Sequence, residues 1–93
     1  MLSAPYRQFH IVREGQSVRK IAEYYSVSEY LLVKENALTQ PPFAGQVLKI
    51  PEARGNAYFV QEGDTKALLC GSEKNFERKN GTDIFYIGMR IIL

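Results

Sequence analysis

The chain is short of the residue types that most enzymatic and metal chemistry needs. Among its 93 residues there is one cysteine, Cys70, and one histidine, His10. A single cysteine rules out an intrachain disulfide and any cysteine-based metal site, and Cys70 reads as a small apolar core residue. With one imidazole and scattered carboxylates, no nucleophile–base set stands out and no metal-ligand spacing appears. The sequence therefore predicts no enzyme, no metal site and no cofactor. Charge of one sign is scarce as well. The formal net charge is +2, with five Lys or Arg against four acids in residues 9–51 and five against five in 58–93. No basic stripe exists to track a phosphate backbone, so nucleic acid is not an expected partner. Long apolar runs are missing too, so no membrane span is expected. Met1-Leu2-Ser3-Ala4-Pro5 lacks the charged start and apolar core of a secretory signal.

What the chain does have is repetition. Phe9-His10-Ile11-Val12-Arg13-Glu14-Gly15-Gln16-Ser17 returns forty-eight positions later as Ala57-Tyr58-Phe59-Val60-Gln61-Glu62-Gly63-Asp64-Thr65. In both copies an alternating apolar run ends in Glu-Gly and then a hydroxyl residue. Alternation suits a half-buried strand, glycine a turn, and Ser or Thr the free amides of a helix's first turn. The copies also end alike, Gly45-Gln46-Val47-Leu48-Lys49-Ile50 against Gly88-Met89-Arg90-Ile91-Ile92-Leu93 at an offset of forty-three. Between these, Asn36 matches Asn80 and Ala22 matches Cys70. The offset falls by four residues within the helical region, about one turn, so the shortened copy keeps the same helix face inward.

Taken in order, the chain predicts a lead-in over 1–8, a first repeat over 9–51, a linker over 52–57 and a shortened second repeat over 58–93. In repeat one a strand at 9–13 precedes a helix from Ser17 to Tyr25, whose buried stripe is Val18, Ile21, Ala22 and Tyr25. Ser28 caps a second helix to Glu35 with Leu31 and Leu32 inward. Asn36, tolerant of the left-handed conformation, ends it. Pro41-Pro42 and Gly45 force a loop, and a strand follows at 46–50. Repeat two predicts a strand at 58–61, a short helix at 65–70 broken by Gly71, a helix from Ser72 to Lys79 with Phe76 in the core, and a last strand to Leu93. The fold class is α+β: two βααβ units, each a two-stranded antiparallel sheet with two helices on one face.

The ordered set His10-x-Val12-x-x-Gly15-Gln16-Ser17, Ile21-Ala22, Val27-Ser28, Leu31-Leu32, Asn36 and Gly45-Gln46-Val47-Leu48-Lys49-Ile50-Pro51 resembles the LysM domain. Repeat two keeps the family's opening as Tyr58-x-Val60-x-x-Gly63-Asp64-Thr65, but its middle is shortened and its close has diverged. The resemblance implies a module that binds polymers containing N-acetylglucosamine, as in peptidoglycan or chitin. It places the sugar between the strand–helix loop and the loop after the second helix. In repeat one these carry Glu14, Gly15, Gln16, Ser17 and Val18, with Asn36, Ala37, Leu38, Thr39, Gln40 and Pro41. In repeat two a weaker site would use Gly63, Asp64 and Thr65, with Asn80, Gly81, Thr82 and Asp83. Val18 and Leu38 are replaced there by Lys66 and Thr82.

A groove for an N-acetyl sugar needs small residues for close approach, hydrogen-bonding groups and an apolar contact for the methyl. The first loop pair offers all three, in Gly15, in Gln16 and Thr39, and in Val18 and Leu38. Gly15, Ser17 and Asn36 would be needed merely to turn and cap the chain as well. Tyr24, Tyr25 and Tyr30 allow two readings, an aromatic sugar platform and, favoured here, packing residues with solvent-facing hydroxyls. Without a secretory signal the expected setting is the cytoplasm, or the cell wall if an export segment lies outside this sequence; the resemblance adds a spore as a setting. The rival reading is a structural or protein-interaction module in spore or envelope assembly. In strands, alternate side chains face opposite ways, so Phe9, Ile11, Val47, Phe59 and Ile92 should point away from the helices. The expectation is that these outward faces pack together, repeat on repeat or chain on chain as a homodimer.

Overall fold

Four hydroxyl residues start four helices, and the helices settle everything else. A computed structural model describes residues 8–93; apart from Gln8, the lead-in expected at 1–8 lies outside the described residues. The elements run β1 (Phe9–Ile11), α1 (Val18–Tyr25), α2 (Glu29–Glu35), β2 (Val47–Lys49), β3 (Ala57–Phe59), α3 (Lys66–Cys70), α4 (Glu73–Asn80) and β4 (Arg90–Ile92). The side chains of Ser17, Ser28, Thr65 and Ser72 accept hydrogen bonds from the amides of Lys20, Leu31, Leu68 and Asn75, at 3.1, 3.3, 3.1 and 3.0 Å. Each cap satisfies an amide that the first helical turn leaves open. β1 pairs antiparallel with β2, His10 opposite Leu48, and β3 with β4, Tyr58 opposite Ile91. The fold is α+β, with the βααβ order occurring twice.

Each unit has its own core. The first joins Val12, Ile21, Ala22, Val27, Leu32, Leu48 and Ile50, edged by Val18, Tyr25 and Leu38. The second joins Val60, Phe76, Met89 and Ile91, edged by Tyr58, Leu69, Cys70, Phe85 and Leu93. Phe76 stands where repeat one has Leu32, and Phe85 meets it edge-on at 5.4 Å. These two rings fill the space left by a helix of five residues where α1 has eight. Cys70 is partly buried, its thiol 3.9 Å from the Ile92 carbonyl, and burial pushes that thiol above its ordinary value.

One asparagine in each unit ties the second helix to the last strand. Asn36 Nδ2 donates to the Leu32 and Lys49 carbonyls at 2.9 and 2.8 Å, and its Oδ1 accepts from the Lys49 amide at 2.7 Å. Asn80 repeats the pattern with Phe76 and Ile92, at 3.2, 3.1 and 2.8 Å. Asn36 does not adopt the left-handed conformation expected of it (φ −107°); the next residue, Ala37, does (φ +49°). The amides of Ala37 and Leu38 bond back to Lys34 and Val33, a Schellman ending with alanine in the place usual for glycine. The asparagine is needed for the clamp, so the left-handed step falls to its neighbour.

The two units dock, but not through the expected surfaces. Ser28 donates its hydroxyl to the Asn80 carbonyl at 2.7 Å, Arg90 Nη1 donates to the Val27 carbonyl at 2.9 Å, and the Gly55 amide donates to Ser26. α2 packs on α4 so closely that a Cβ on Gly81 would lie 2.7 Å from the Leu31 Cα. Leu31, expected in the first core, is buried outside that cluster, at this contact. Repeat-on-repeat packing through the outward sheet faces is therefore corrected. Phe9, Ile11, Val47 and Phe59 remain exposed, whereas Ile92 is 0% exposed and has Gly55 against it. The docking surface is helical: Leu31 against Gly81 brings α2 and α4 close enough for the Ser28 hydroxyl to reach the Asn80 carbonyl.

Asn80 is fully buried, whereas Asn36 is reachable by water. Removing a buried partner leaves polar groups unsatisfied at about 1–3 kcal/mol each. Asn80→Ala should thus cost about 3 kcal/mol and Asn36→Ala about 1 kcal/mol in denaturant melts. Equal losses would show that the buried clamp has no special weight.

Candidate functional site

The strand–helix loop is a tight turn in both units. The Gln16 amide bonds to the Arg13 carbonyl, with Gly15 at φ +83°; the Asp64 amide bonds to the Gln61 carbonyl, with Gly63 at φ +90°. A third turn residue at positive φ is where glycine is required. The residue after each glycine then closes the turn by its side chain. Gln16 Oε1 accepts from the Arg13 amide at 2.9 Å, and Asp64 Oδ2 accepts from the Gln61 amide at 2.8 Å.

The same oxygens hold the aromatic residue of the first strand. The Tyr58 hydroxyl donates to Asp64 Oδ2 at 2.7 Å. In repeat one His10 Nε2 lies 2.8 Å from Gln16 Oε1, and His10 Nδ1 lies 2.8 Å from the Tyr25 hydroxyl. Because Gln16 Oε1 already accepts a backbone amide, neutral His10 must donate from Nε2 and accept at Nδ1, with Tyr25 as donor. Burial first, and Tyr24 second, push the Tyr25 phenol up against the opposing pull of Arg54, which keeps its proton available.

Beside the start of α1 lies a groove of about 400 Å³, lined by Ser17, Val18, Arg19, Val33, Leu38, Gln40, Pro41 and Pro42. The Schellman ending of α2 builds its floor by folding Leu38 back toward Val33. The two prolines stiffen the far wall, and Arg19 is held at the rim by Glu23 at 3.1 Å and Glu29 at 3.7 Å. Such a site is mostly apolar with a few polar groups at its edge, suited to a methyl-bearing uncharged ligand.

Of the eleven residues expected to bind sugar in repeat one, the groove brings together Ser17, Val18, Leu38, Gln40 and Pro41. Glu14 and Gly15 are exposed in the adjoining turn, and Ala37 and Thr39 are exposed without lining it. Gln16 Oε1 is taken by His10 and the Arg13 amide, and Asn36 is taken by the clamp. Val33, Pro42 and Arg19 were missed. Val33 could have been found as an apolar helix residue off the buried stripe, one position past Leu32.

In repeat two the expected polar residues serve the fold. Asp64 takes the Tyr58 hydroxyl, Thr65 caps α3, Thr82 Oγ1 accepts the Ile84 amide at 3.1 Å and Gly81 abuts Leu31. Asn80 is buried and so is corrected as a solvent-facing ligand residue. Gly63 and Asp83 are exposed. Lys66, in the place of Val18, lies with its ammonium 5.4 Å from the centre of the Phe76 ring, and Phe85 packs on the same ring. Among the described residues no group of three His, Cys, Asp or Glu is placed to hold a metal. No helix among them is long and apolar enough to cross a membrane.

Two helices on a two-stranded sheet, with an apolar groove at the loop ends, define a small binding module. Residues 10–51 match the family model of the LysM domain, and this part of the chain is a LysM domain. The match does not extend to repeat two. Among solved structures, the chain is similar to the Bacillus cereus spore cortex-lytic enzyme SleL, with 26% identity and a TM-score of 0.47 over 95% of this chain and 23% of that one. The Bacillus megaterium QM B1551 spore cortex-lytic enzyme SleL gives 26% identity and a TM-score of 0.49 over 97% and 23%. The chain thus spans about a quarter of the length of those enzymes. No curated protein matches it.

The Tyr58–Asp64 bond makes the fold sensitive to alkali. That hydrogen bond raises the Tyr58 phenol above the ordinary 10.0, with burial and the Asp64 charge adding in the same direction. A raised folded value means that the contribution is complete below pH 10.0 and is lost as pH rises through the folded value. Tyr58→Phe should melt lower than the parent at about pH 8 and approach it at about pH 11. A constant difference between the two pH values would remove Tyr58 as the cause.

Proposed function

We propose that this chain is a non-catalytic carbohydrate-binding module that holds polymers containing N-acetylglucosamine, peptidoglycan or chitin-like, in the groove of repeat one. The observation that carries this reading is the apolar floor of Val18, Val33 and Leu38 at the loop junction where the LysM resemblance puts the sugar. The acetyl methyl would sit on that floor, and the Ser17 hydroxyl and Gln40 amide lie at its edge for the sugar's polar groups. Repeat two, with Lys66 and Phe85 over Phe76, is read as support for repeat one. The proposed role is attachment within a cell wall or spore envelope.

A shallow groove buries little area, so binding should be weak and saturable. Titration of the labelled protein with a chitin oligomer should shift amide resonances at Ser17, Val18, Val33 and Leu38 through Gln40. Val33→Ser should weaken that binding about fivefold, the loss of one apolar contact. Shifts confined to repeat two, or none at all, would sink the reading.

A second reading has its own observation. Phe9, Ile11 and Val47 form an exposed apolar face on the outer side of the first sheet, and Phe59 is exposed on the second. Such a face supports a structural module that joins chain to chain in envelope assembly. Sedimentation should then show a concentration-dependent dimer that Ile11→Ser abolishes. A monomer at all concentrations would leave the carbohydrate reading alone.

A further inference from the structure

Repeat one carries a second cavity, of about 420 Å³, lined by His10, Arg13, Gln16, Tyr24 and Tyr25. It shares no lining residue with the sugar groove. Its inner wall is fixed in advance. Tyr25, His10 and Gln16 are joined by hydrogen bonds of 2.8 Å and closed on the Arg13 amide at 2.9 Å. Its outer wall is an aromatic ring that the fold does not bury. Tyr24 is 79% exposed, held edge-on against Tyr25 at 4.9 Å. The Arg13 side chain is exposed and takes no partner among the described residues. A second cation, Arg54, lies 5.8 Å over the Tyr25 ring.

The second repeat acts as a control for what the fold itself needs. Between Thr65 and Ser72 it reads Lys-Ala-Leu-Leu-Cys-Gly, without an aromatic residue, and it still forms βααβ. The position of Arg13 is taken there by Gln61. Tyr24 and the cation, both exposed, are thus not required to build the unit, whereas Tyr25 also edges the first core. Tyr24 and Arg13 are additions to repeat one, and they converge on one cavity.

Their chemistry is specific. A flat ring open to water offers the apolar face on which a pyranose stacks, and a free guanidinium offers a planar fork matched to a carboxylate. We infer that this cavity binds a carboxylate-bearing N-acetylated sugar of the peptidoglycan type, its ring on Tyr24 and its carboxylate on Arg13. The inference rests on the carbohydrate-binding reading above and narrows it: chitin carries no carboxylate, whereas peptidoglycan does. The carboxylate comes from either of two sources, the lactyl group of muramic acid or the end of the stem peptide.

The test is calorimetric titration of the whole chain with three probes: neutral chitotetraose, the disaccharide of N-acetylglucosamine and N-acetylmuramic acid, and the same disaccharide bearing a stem dipeptide. Arg13→Gln should weaken binding of the charged probes about tenfold and leave chitotetraose unchanged, since a charge-assisted pair is lost. Tyr24→Ala should act likewise, and Tyr24→Phe should restore binding, because the ring and not the hydroxyl is used. Tyr24 and Arg13 are exposed, so the variants should keep the parental melting temperature. The probe that loses most in Arg13→Gln identifies the source of the carboxylate. If the charged probes bind no better than chitotetraose, or are indifferent to both substitutions, the inference is wrong while the groove stands. If no probe binds, the carbohydrate reading falls and this one with it.

Discussion

The asparagine that closes each unit is the interaction on which the rest depends. A two-stranded sheet is marginal by itself, and here each strand has only three residues. Such a sheet holds when something outside the ladder fixes it to the helices. Asn36 and Asn80 do so with one side chain each, donating to a helix carbonyl and a strand carbonyl and accepting a strand amide. An amide side chain is the group that can imitate a peptide in both directions at once. Hydrophobic burial supplies the bulk of the stabilisation. The clamp decides where the last strand lies relative to the second helix, and therefore where the loop between them must pass.

That constraint lets the two units diverge elsewhere. Repeat one pairs a histidine with a glutamine where repeat two pairs a tyrosine with an aspartate. Read singly, Gln16 and His10 look like departures from the motif. Read together they form one hydrogen bond with a different donor and acceptor, and the turn amide is satisfied in both. The pair also has an electrostatic consequence. Repeat two holds a carboxylate against a phenol, while repeat one holds an uncharged amide against an imidazole and adds Tyr25 as a further donor. The relay continues into α1 only in the unit whose helix is long enough to supply that tyrosine.

The fold was legible because its signals are local: four hydroxyl caps, glycine after glutamate, and alternation that stops at proline. What the sequence left open was set by contacts between distant segments. The outward strand face was correctly derived, yet Ile92 became buried while Phe9 and Ile11 did not. Nothing in the alternation of a strand says that a linker glycine will lie against one residue of it. The groove was half legible. Its loop residues follow from motif spacing, but Val33 depends on how the chain turns after α2, and that turn was assigned to Asn36 instead of Ala37. Gln16 has its side-chain oxygen committed to His10 and the Arg13 amide. A polar residue in a binding loop looks available until its hydrogen bonds are placed.

Helix α2 shows how the two units work as one. Its N-cap Ser28 reaches across to the Asn80 carbonyl, Leu31 meets Gly81, Leu32 enters the first core and Val33 lines the groove. Three successive residues thus face three different surroundings, the last of them the groove. A seven-residue helix by itself has little tendency to stay formed in water. Repeat two braces that helix from behind, through the Asn80 carbonyl and the Gly81 backbone. Gly81 marks how closely it does so, since its backbone approaches α2 at a distance that no other residue would permit.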